Sequence, residues 1–229
     1  GVNWSKTDLS PWTIGFAVQF VDEQTGWVTV FSDTLDNGVF ELHDTAILRT
    51  TDGGGSWTTL TGVGGVPFFV DTDNGWLVSG TLSSSGEVAP PYEILHTVNG
   101  GLSWESQLRD DSLADTRMYF SDVNNGWIVT GQKILHTVNG GADWTEATNT
   151  GAVLSESTGN VVYFLDSETG WIGNHYHPDG WDPQTRIFGT TDGGATWEPM
   201  SIPDQNKIFS MYFVDGDTGW IISDDSVIT

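Results

Sequence analysis

The chain has 229 residues, 31 of them acidic and 7 basic, and a formal net charge of −24. A field of that sign repels nucleic acid and anionic lipid, so the sequence predicts no nucleic-acid partner. No run of about 20 apolar residues is present, so we expect no membrane insertion, and the absence of cysteine excludes disulfides and thiolate chemistry.

Two interleaved motifs divide the chain into repeats of about 50 residues, a period typical of repeat architectures. The first, F-x-D-x-x-x-G-W (the FGW motif), occupies Phe20 to Trp27, Phe69 to Trp76, Phe120 to Trp127, Phe164 to Trp171 and Phe213 to Trp220. The second, T-x-D/N-x-G-x-x-W (the TGW motif), occupies Thr50 to Trp57, Thr97 to Trp104, Thr137 to Trp144 and Thr190 to Trp197.

Each repeat predicts four short strands in chain order. The first strand ends at the motif Phe, as in Phe16 to Phe20, and a turn follows in which Asp22 accepts backbone N–H groups and Gly26 takes a positive φ. The second strand starts at the FGW Trp, the third is the Ile-Leu-x-Thr segment, and the fourth starts at the TGW Trp. Four antiparallel strands per repeat, without helical periodicity, are typical of a propeller blade.

The predicted fold class is therefore all-β: a β-propeller of five four-stranded antiparallel blades in a single domain, 1–229. The predicted blades are about 10–60, 61–107, 108–148, 149–200, and 201–229 plus 1–9, so that the N-terminal strand closes the last blade. The Trp residues of both motifs are predicted to pack between blades. A segment of a longer propeller, with six or seven blades, is the alternative.

The TGW motif resembles the Asp-box, or BNR repeat, of sialidases, sortilin-type receptors, xyloglucan-cleaving glucanases and a photosystem II assembly factor family. With the FGW motif added, the chain looks most like that assembly factor family and its uncharacterised bacterial relatives. The resemblance implies a propeller in which the Asp-box is a structural turn away from any active site. The side chains expected to hold these turns, rather than calcium, are Asp52, Asn99, Asn139 and Asp192.

Binding residues are expected where the repeats differ. The connection between the second and third strands is short around residues 131–133, whereas it is long at 31–45, 80–93 and 173–184. Loops on a rigid scaffold concentrate binding groups, so this variable face is the predicted ligand site. Its candidate contact residues are His175, Tyr176, His177, Trp181, Asp182, Arg109 and Tyr92. A plain packed loop is the alternative for residues 173–182, and pairing with neighbouring acids is the alternative for Arg109.

No cofactor is predicted. Calcium or another divalent cation is the alternative, because His and Asp side chains cluster in two of the long connections. The weak candidate ligands are His175, His177, Asp179, Asp33 and Asp36.

The predicted function is a non-catalytic binding or scaffold propeller, located extracellularly, at the cell surface or in the periplasm, that recognises a protein or a glycan. The alternatives are a glycoside hydrolase or sialidase-like enzyme, a fragment of a longer propeller, and a subunit of a larger surface assembly. A sialidase-like site needs a cluster of three Arg; Arg49 and Arg186 precede TGW motifs, which predicts that both lie toward the regular face. The acidic charge fits a solubilising surface, with a cationic partner as the alternative.

Overall fold

The computed structural model of the protein is all-β. It describes residues 6–12, 14–36, 39–60, 64–82, 88–114, 116–148, 157–176, 184–200, 208–223 and 227–228. No helix in this part of the chain is long and apolar enough to cross a membrane. The chain divides into two compact units, an N-terminal unit Gly1–Asp111 and a C-terminal unit Ser112–Thr229.

The N-terminal unit holds two four-stranded antiparallel sheets whose strands pair in chain order. The first sheet contains β1 (Ile14–Phe20), β2 (Gly26–Asp36), β3 (Val39–Thr50) and β4 (Thr58–Leu60). The second sheet contains β5 (Phe68–Phe69), β6 (Asn74–Leu82), β7 (Val88–Val98) and β8 (Glu105–Arg109).

The C-terminal unit repeats the same meander in three sheets. The third sheet contains β9 (Arg117–Phe120), β10 (Gly126–Val129), β11 (Ile134–Thr137) and β12 (Thr145–Glu146). The fourth contains β13 (Ser157–Phe164), β14 (Gly170–Tyr176), β15 (Gln184–Thr190) and β16 (Glu198–Met200). The fifth contains β17 (Ile208–Phe213), β18 (Gly219–Ser223) and β19 (Val227–Ile228).

These sheets confirm the predicted all-β fold of four-stranded antiparallel blades, one sheet for each FGW motif. The fifth sheet has three strands within the described residues. The strand predicted to complete it lies at residues 1–9; residues 1–5 are outside the described part of the chain, and residues 6–9 have no regular secondary structure.

The FGW turn is built as predicted at its Asp but not at its Gly. Asp22 Oδ1 accepts the N–H groups of Gln24 at 2.7 Å and Thr25 at 2.6 Å. Gly26 does not adopt a positive φ, so the prediction for this residue was wrong. The reason for glycine is packing, because a Cβ at this position would come within 2.6 Å of the Phe20 ring.

The TGW turn is closed by its Thr and its Asp or Asn. In the first repeat, Thr50 Oγ1 donates to Asp52 Oδ1 at 2.8 Å and accepts the Gly54 N–H at 2.9 Å, while Asp52 Oδ1 also accepts the Ser56 N–H. The Ser56 hydroxyl, bonded to the other carboxylate oxygen, is the main reason that the pKa of Asp52 falls to about 2. The same bonds from Thr and to the following backbone recur at Asn99, Asn139 and Asp192.

Within each unit, the FGW Trp joins one sheet to the next. Trp27 stacks on Phe69 with ring centroids 3.6 Å apart, Trp127 on Phe164 at 3.5 Å, and Trp171 on Phe213 at 3.7 Å. In each pair the Trp belongs to one repeat and the Phe to the FGW motif of the following repeat. The predicted packing of these Trp residues between blades is therefore observed inside both units.

The TGW Trp contacts the motif Phe of its own repeat. Trp104 meets Phe69 of its own repeat edge-on at 6.0 Å, and Trp197 meets Phe164 of its own repeat in the same way at 6.0 Å. Both indoles are half-buried. Trp104 also packs against the buried cluster that joins Leu60 of the first sheet to Leu77 of the second, and Trp197 against the cluster that joins Ile134 of the third sheet to Ile172 of the fourth. Both residues therefore lie between consecutive blades, as predicted.

Candidate functional site: the hairpin arms

The long connections between second and third strands are extended hairpins, not the loops that were predicted. In the third sheet the connection is a tight turn, in which the Thr130 N–H donates to the Lys133 carbonyl at 2.9 Å. In the first, second and fourth sheets the two strands continue past this level as antiparallel ribbons. We call these ribbons the first arm (residues 32–36 and 39–44), the second arm (79–82 and 88–93) and the third arm (174–176 and 184–186).

A break in the strand register marks the base of two arms. The β2–β3 register shifts between Ser32 and Asp33, and the β6–β7 register shifts between Ser79 and Thr81. An irregularity of this kind bends a ribbon and increases its twist, so it can redirect an arm relative to its sheet. The third arm continues its sheet without a shift from Asn174↔Arg186 to Tyr176↔Gln184.

The first arm is a two-stranded ribbon. Its pairs run from Asp33↔Leu42 to Asp36↔Val39, whereas β1 pairs with β2 only as far as Phe31 and β4 pairs with β3 only over Ile47 to Arg49. Within the described residues, the arm therefore extends beyond both flanking strands of its sheet. Such a ribbon leaves the outward backbone groups of both strands available for pairing with an added strand.

Charged side chains brace the base of the second arm. Arg109 on β8 forms an ion pair with Glu93 on β7, and its hydrogen bond is the main cause of the lowered pKa of the Glu93 carboxyl. The Asp110 N–H donates to the Tyr92 carbonyl at 3.1 Å. Of the two alternatives for Arg109, the structure shows pairing with a neighbouring acid.

The predicted contact residues are distributed unevenly over the arms. Tyr92 is buried, with 7% of its surface exposed, and its role as a contact residue stays a prediction. His175 and Tyr176 lie on β14 in the third arm, paired with Thr185 and Gln184. The remaining candidates of this region, His177, Asp179, Trp181 and Asp182, lie outside the described residues.

The candidate metal ligands are not brought into one site by what the structure describes. Asp33 and Asp36 both lie on β2 in the first arm, and Thr34 and Leu35 stand between them along the strand. Among the described residues no group of three or more His, Cys, Asp or Glu side chains is arranged to hold a metal ion. Metal binding by the third arm stays a prediction.

Arg186 and Arg49 do not occupy equivalent positions in their sheets. Arg49 pairs with Trp27 in the β2–β3 ladder, but the residue opposite the corresponding Trp171 is Gly189. Arg186 instead lies opposite Asn174 in the third arm. The Arg49 guanidinium lies 5.8 Å from the centroid of the Trp27 ring and donates to the Thr72 carbonyl at 3.2 Å, so Arg49 has a packing role.

Sequence reasoning missed the residues that cover the second face of the FGW Trp. His96 stacks on Trp76 at 4.6 Å, His136 stacks on Trp127 at 4.8 Å, and Arg49 covers Trp27. Burial lowers the pKa of both His side chains, and neither Nε2 atom has a hydrogen-bond partner among the residues that the structure describes. The available signal was positional, because each residue directly precedes the Thr of a TGW motif.

No family model and no curated protein matches the chain. Among solved structures, an ancestral GH74 enzyme superposes with a TM-score of 0.61 at 16% identity, over 93% of this chain and 29% of that one. A protein of unknown function from Dyadobacter fermentans superposes with a TM-score of 0.54 at 13% identity, over 89% of this chain and 70% of that one. YCF48 bound to a D1 peptide matches with a TM-score of 0.40 at 15% identity, over 97% of this chain and 95% of that one.

At these identities the likeness shows the fold alone. The chain has the β-propeller fold, in agreement with the prediction from its repeats. A fold that hydrolases and binding proteins share does not determine an activity.

Proposed function

We propose that this chain is a non-catalytic, extracytoplasmic propeller that binds a protein partner through its hairpin arms. The observation that carries the proposal is that three second-to-third-strand hairpins continue past the level at which the third sheet makes its tight turn at Thr130 to Lys133. Repeated parts of a scaffold serve packing, whereas unequal extensions on it supply specificity.

The proposed partner is a basic, extended segment of a protein. Between Ser32 and Asp44 the first arm carries Asp33, Asp36, Glu41 and Asp44 and no Lys or Arg, within a chain of net charge −24. Opposite charge across an interface speeds encounter and suppresses wrong partners. A ribbon with open edges also suits the addition of a partner strand, in which backbone hydrogen bonds supply affinity and side chains supply selectivity.

The hydrogen bonding of the carboxyl groups in the described residues supports a non-catalytic role. A glycosidase needs one carboxylic acid with a raised pKa beside a carboxylate. Every carboxyl group of the described residues with a resolved shift has its pKa lowered. In Asp22, Asp52 and Asp192 the largest cause is a hydrogen bond within the turn that the group itself closes. These carboxylates stabilise the turns in which they lie.

The extracytoplasmic location rests on composition. A surface this acidic stays soluble in salty or calcium-rich surroundings, where its self-repulsion is screened. Secretion of the native protein into the medium or periplasm, measured by fractionation, tests this part of the proposal independently of binding.

The test of binding is an arm deletion that leaves the sheet intact. Removing residues 32–36 and 39–44 joins Phe31 to Thr45 through Asn37-Gly38, a dipeptide suited to a two-residue hairpin turn. A peptide selected by phage display on the intact chain is then titrated by calorimetry against both proteins. We expect the deletion to abolish binding while the melting temperature stays within a few degrees.

A charge-neutral arm separates shape from charge. The variant Asp33→Asn, Asp36→Asn, Glu41→Gln, Asp44→Asn keeps the length of the arm, and we expect it to weaken binding of a Lys-rich peptide at least tenfold. A selected peptide that binds the arm deletion as tightly as the intact chain contradicts the proposal. Binding restricted to a glycan array, or hydrolysis of xyloglucan or sialoside substrates, would also contradict it.

A further inference from the structure

The residue that directly precedes the FGW Phe changes its chemistry along the chain. It is Gln19 in the first repeat and Phe68 in the second, and it is a tyrosine in the last three repeats, Tyr119, Tyr163 and Tyr212. In these three repeats the strand register places the tyrosine opposite the FGW Trp of the same sheet. The three tyrosines therefore occupy one position of the repeat, on the first strands of the three sheets of the C-terminal unit.

The rings of these three residues, which we call the tyrosine ladder, contact one another from sheet to sheet. The strand β13, which carries Tyr163, lies against both β9 and β17. The ring centroids of Tyr119 and Tyr163 are 5.4 Å apart, and those of Tyr163 and Tyr212 are 5.6 Å apart. Both separations are those of aromatic pairs in contact. Tyr163 thus has a second phenol on each side, and each neighbour belongs to a different sheet.

The middle ring of the ladder is held in place by its hydroxyl. The Tyr163 hydroxyl donates to the Phe213 carbonyl at 2.8 Å, which fixes the oxygen end of the ring on the fifth sheet. Thermal displacements of about 1 Å are ordinary for side chains in folded proteins. The edges of the Tyr119 and Tyr163 rings can therefore meet without any change in the fold.

The phenols of the ladder stay protonated at neutral pH. Burial raises the pKa of Tyr119 to about 12, and burial is also the largest cause of the raised pKa of Tyr163. A neutral phenol loses its hydroxyl proton together with an electron when it is oxidised. Oxidation of either residue therefore produces a neutral phenoxyl radical, which lies beside a second phenol of the same kind.

We propose that Tyr119 and Tyr163 form an oxidative modification site, at which a one-electron oxidant couples the two rings into dityrosine. Each phenol gives one electron and one proton to the oxidant. The two phenoxyl radicals form a carbon–carbon bond between ring carbons ortho to their oxygens, and the hydrogen on each of these carbons then moves to the oxygen. The chain loses two hydrogen atoms, which one molecule of hydrogen peroxide takes up as it becomes two molecules of water, with a peroxidase supplying the one-electron steps.

The geometry favours this pair over the pair of Tyr163 with Tyr212. The planes of the Tyr119 and Tyr163 rings are inclined at 51°, whereas the Tyr163 and Tyr212 rings are T-shaped at 66° and lie farther apart. The two rings of dityrosine are twisted about their shared bond, so the inclined pair is closer to the product.

The bond would join the third sheet to the fourth covalently. The chain has no cysteine, so a disulfide cannot supply such a link. A covalent link between distant residues stabilises a fold mainly by restricting the unfolded chain. The proposal does not depend on what the arms bind.

The test is a brief illumination of the dilute chain with tris(bipyridine)ruthenium(II) and persulfate, which generates a small one-electron oxidant. Dityrosine is detected by its blue fluorescence in the monomer band of a denaturing gel and by the loss of two hydrogen masses, and peptide mapping locates it. We expect the main linked peptide pair to contain Tyr119 and Tyr163. The linked chain should melt several degrees above the chain that was illuminated without persulfate.

Conservative variants keep the rings and remove single phenols. Tyr119→Phe and Tyr163→Phe should each abolish the linked peptide pair, with circular dichroism spectra that match the intact chain. Tyr212→Phe should retain this pair, because Tyr212 takes no part in the bond. Tyr92→Phe, a tyrosine of the second sheet, is the matched control and should give the yield of the intact chain.

Three results would overturn the proposal. The first is that the tyrosines of the intact chain are consumed without this linked peptide pair. The second is that Tyr163 and Tyr212 form the main product. The third is that the folded Tyr163→Phe chain shows the same fluorescence in its monomer band as the intact chain.

Discussion

Trp127 is the residue whose replacement tests the packing of the repeats most severely. It is fully buried, stacks on Phe164 at 3.5 Å and on His136 at 4.8 Å, and donates its indole N–H to the Gly193 carbonyl at 2.8 Å. We expect Trp127→Ala to lower the free energy of unfolding by about 3–5 kcal/mol, the range for emptying a large aromatic site in a core.

A smaller change divides this loss into its causes. Trp127→Phe keeps an aromatic ring between His136 and Phe164 but leaves the Gly193 carbonyl without its donor, which costs about 1–3 kcal/mol when a buried group loses its partner. The order of stability should therefore be the intact chain, then Trp127→Phe, then Trp127→Ala. Val138→Ala, at a 66% exposed position, is the matched control and should fall within about 0.5 kcal/mol of the intact chain.

Urea unfolding followed by far-ultraviolet circular dichroism measures these differences, because the midpoint and slope give the free energy of unfolding by linear extrapolation. The measurement is made at a protein concentration where the chain is monomeric. A loss below about 1 kcal/mol for Trp127→Ala would refute the assignment of the FGW Trp as the residue that joins sheets.

Three other outcomes are expected. Gly126→Ala should destabilise the chain by about 1–3 kcal/mol because its Cβ would overlap the Phe120 ring, whereas Gly216→Ala, with no atom within 4 Å of its Cβ, should be near neutral; equal urea midpoints for the two would contradict this. The free energy of unfolding should fall as pH drops below about 6.5, because the folded-state pKa values of His96 and His136 lie below the unfolded value and protonation then favours the unfolded chain. The double variant His96→Gln, His136→Gln should flatten this pH profile between about pH 7.5 and 5.5. Added salt or calcium should raise the melting temperature by screening 24 net negative charges, and an unchanged midpoint across both series would contradict that view.

The fold was predictable because the same pattern of packing and turn residues recurs in all five repeats. Phe, Asp, Gly and Trp at fixed spacing identify a strand, a turn and a second strand, and the structure places a sheet at each FGW motif. The reasons for single residues were less accessible. Gly26 looks like a turn glycine in sequence, and only coordinates reveal that the Phe20 ring occupies the space of its side chain.

The site was harder to predict because length variation does not reveal conformation. Residues 32–44 contain turn-forming Asp, Asn and Gly together with Val, Phe and Leu, and within this segment residues 32–36 pair with residues 39–44 as a ribbon. Arg49, His96 and His136 were missed as residues that cover the Trp ring because two unlike side chains, Arg and His, occupy one position of the repeat. For Arg109 the sequence left two alternatives open. The strand register, which the sequence does not reveal, places Glu93 opposite Arg109.

A double-mutant cycle between Trp127 and Phe164 tests most directly whether the FGW Trp of one repeat recognises the FGW Phe of the next. With both residues changed to Leu, singly and together, we predict a coupling energy of about 0.5–3 kcal/mol, as found for residues in contact. The parallel cycle of Trp127 with Phe213, which stacks on Trp171 instead, should be additive within about 0.5 kcal/mol. Additivity in the first cycle, or equal coupling in both, would contradict the account.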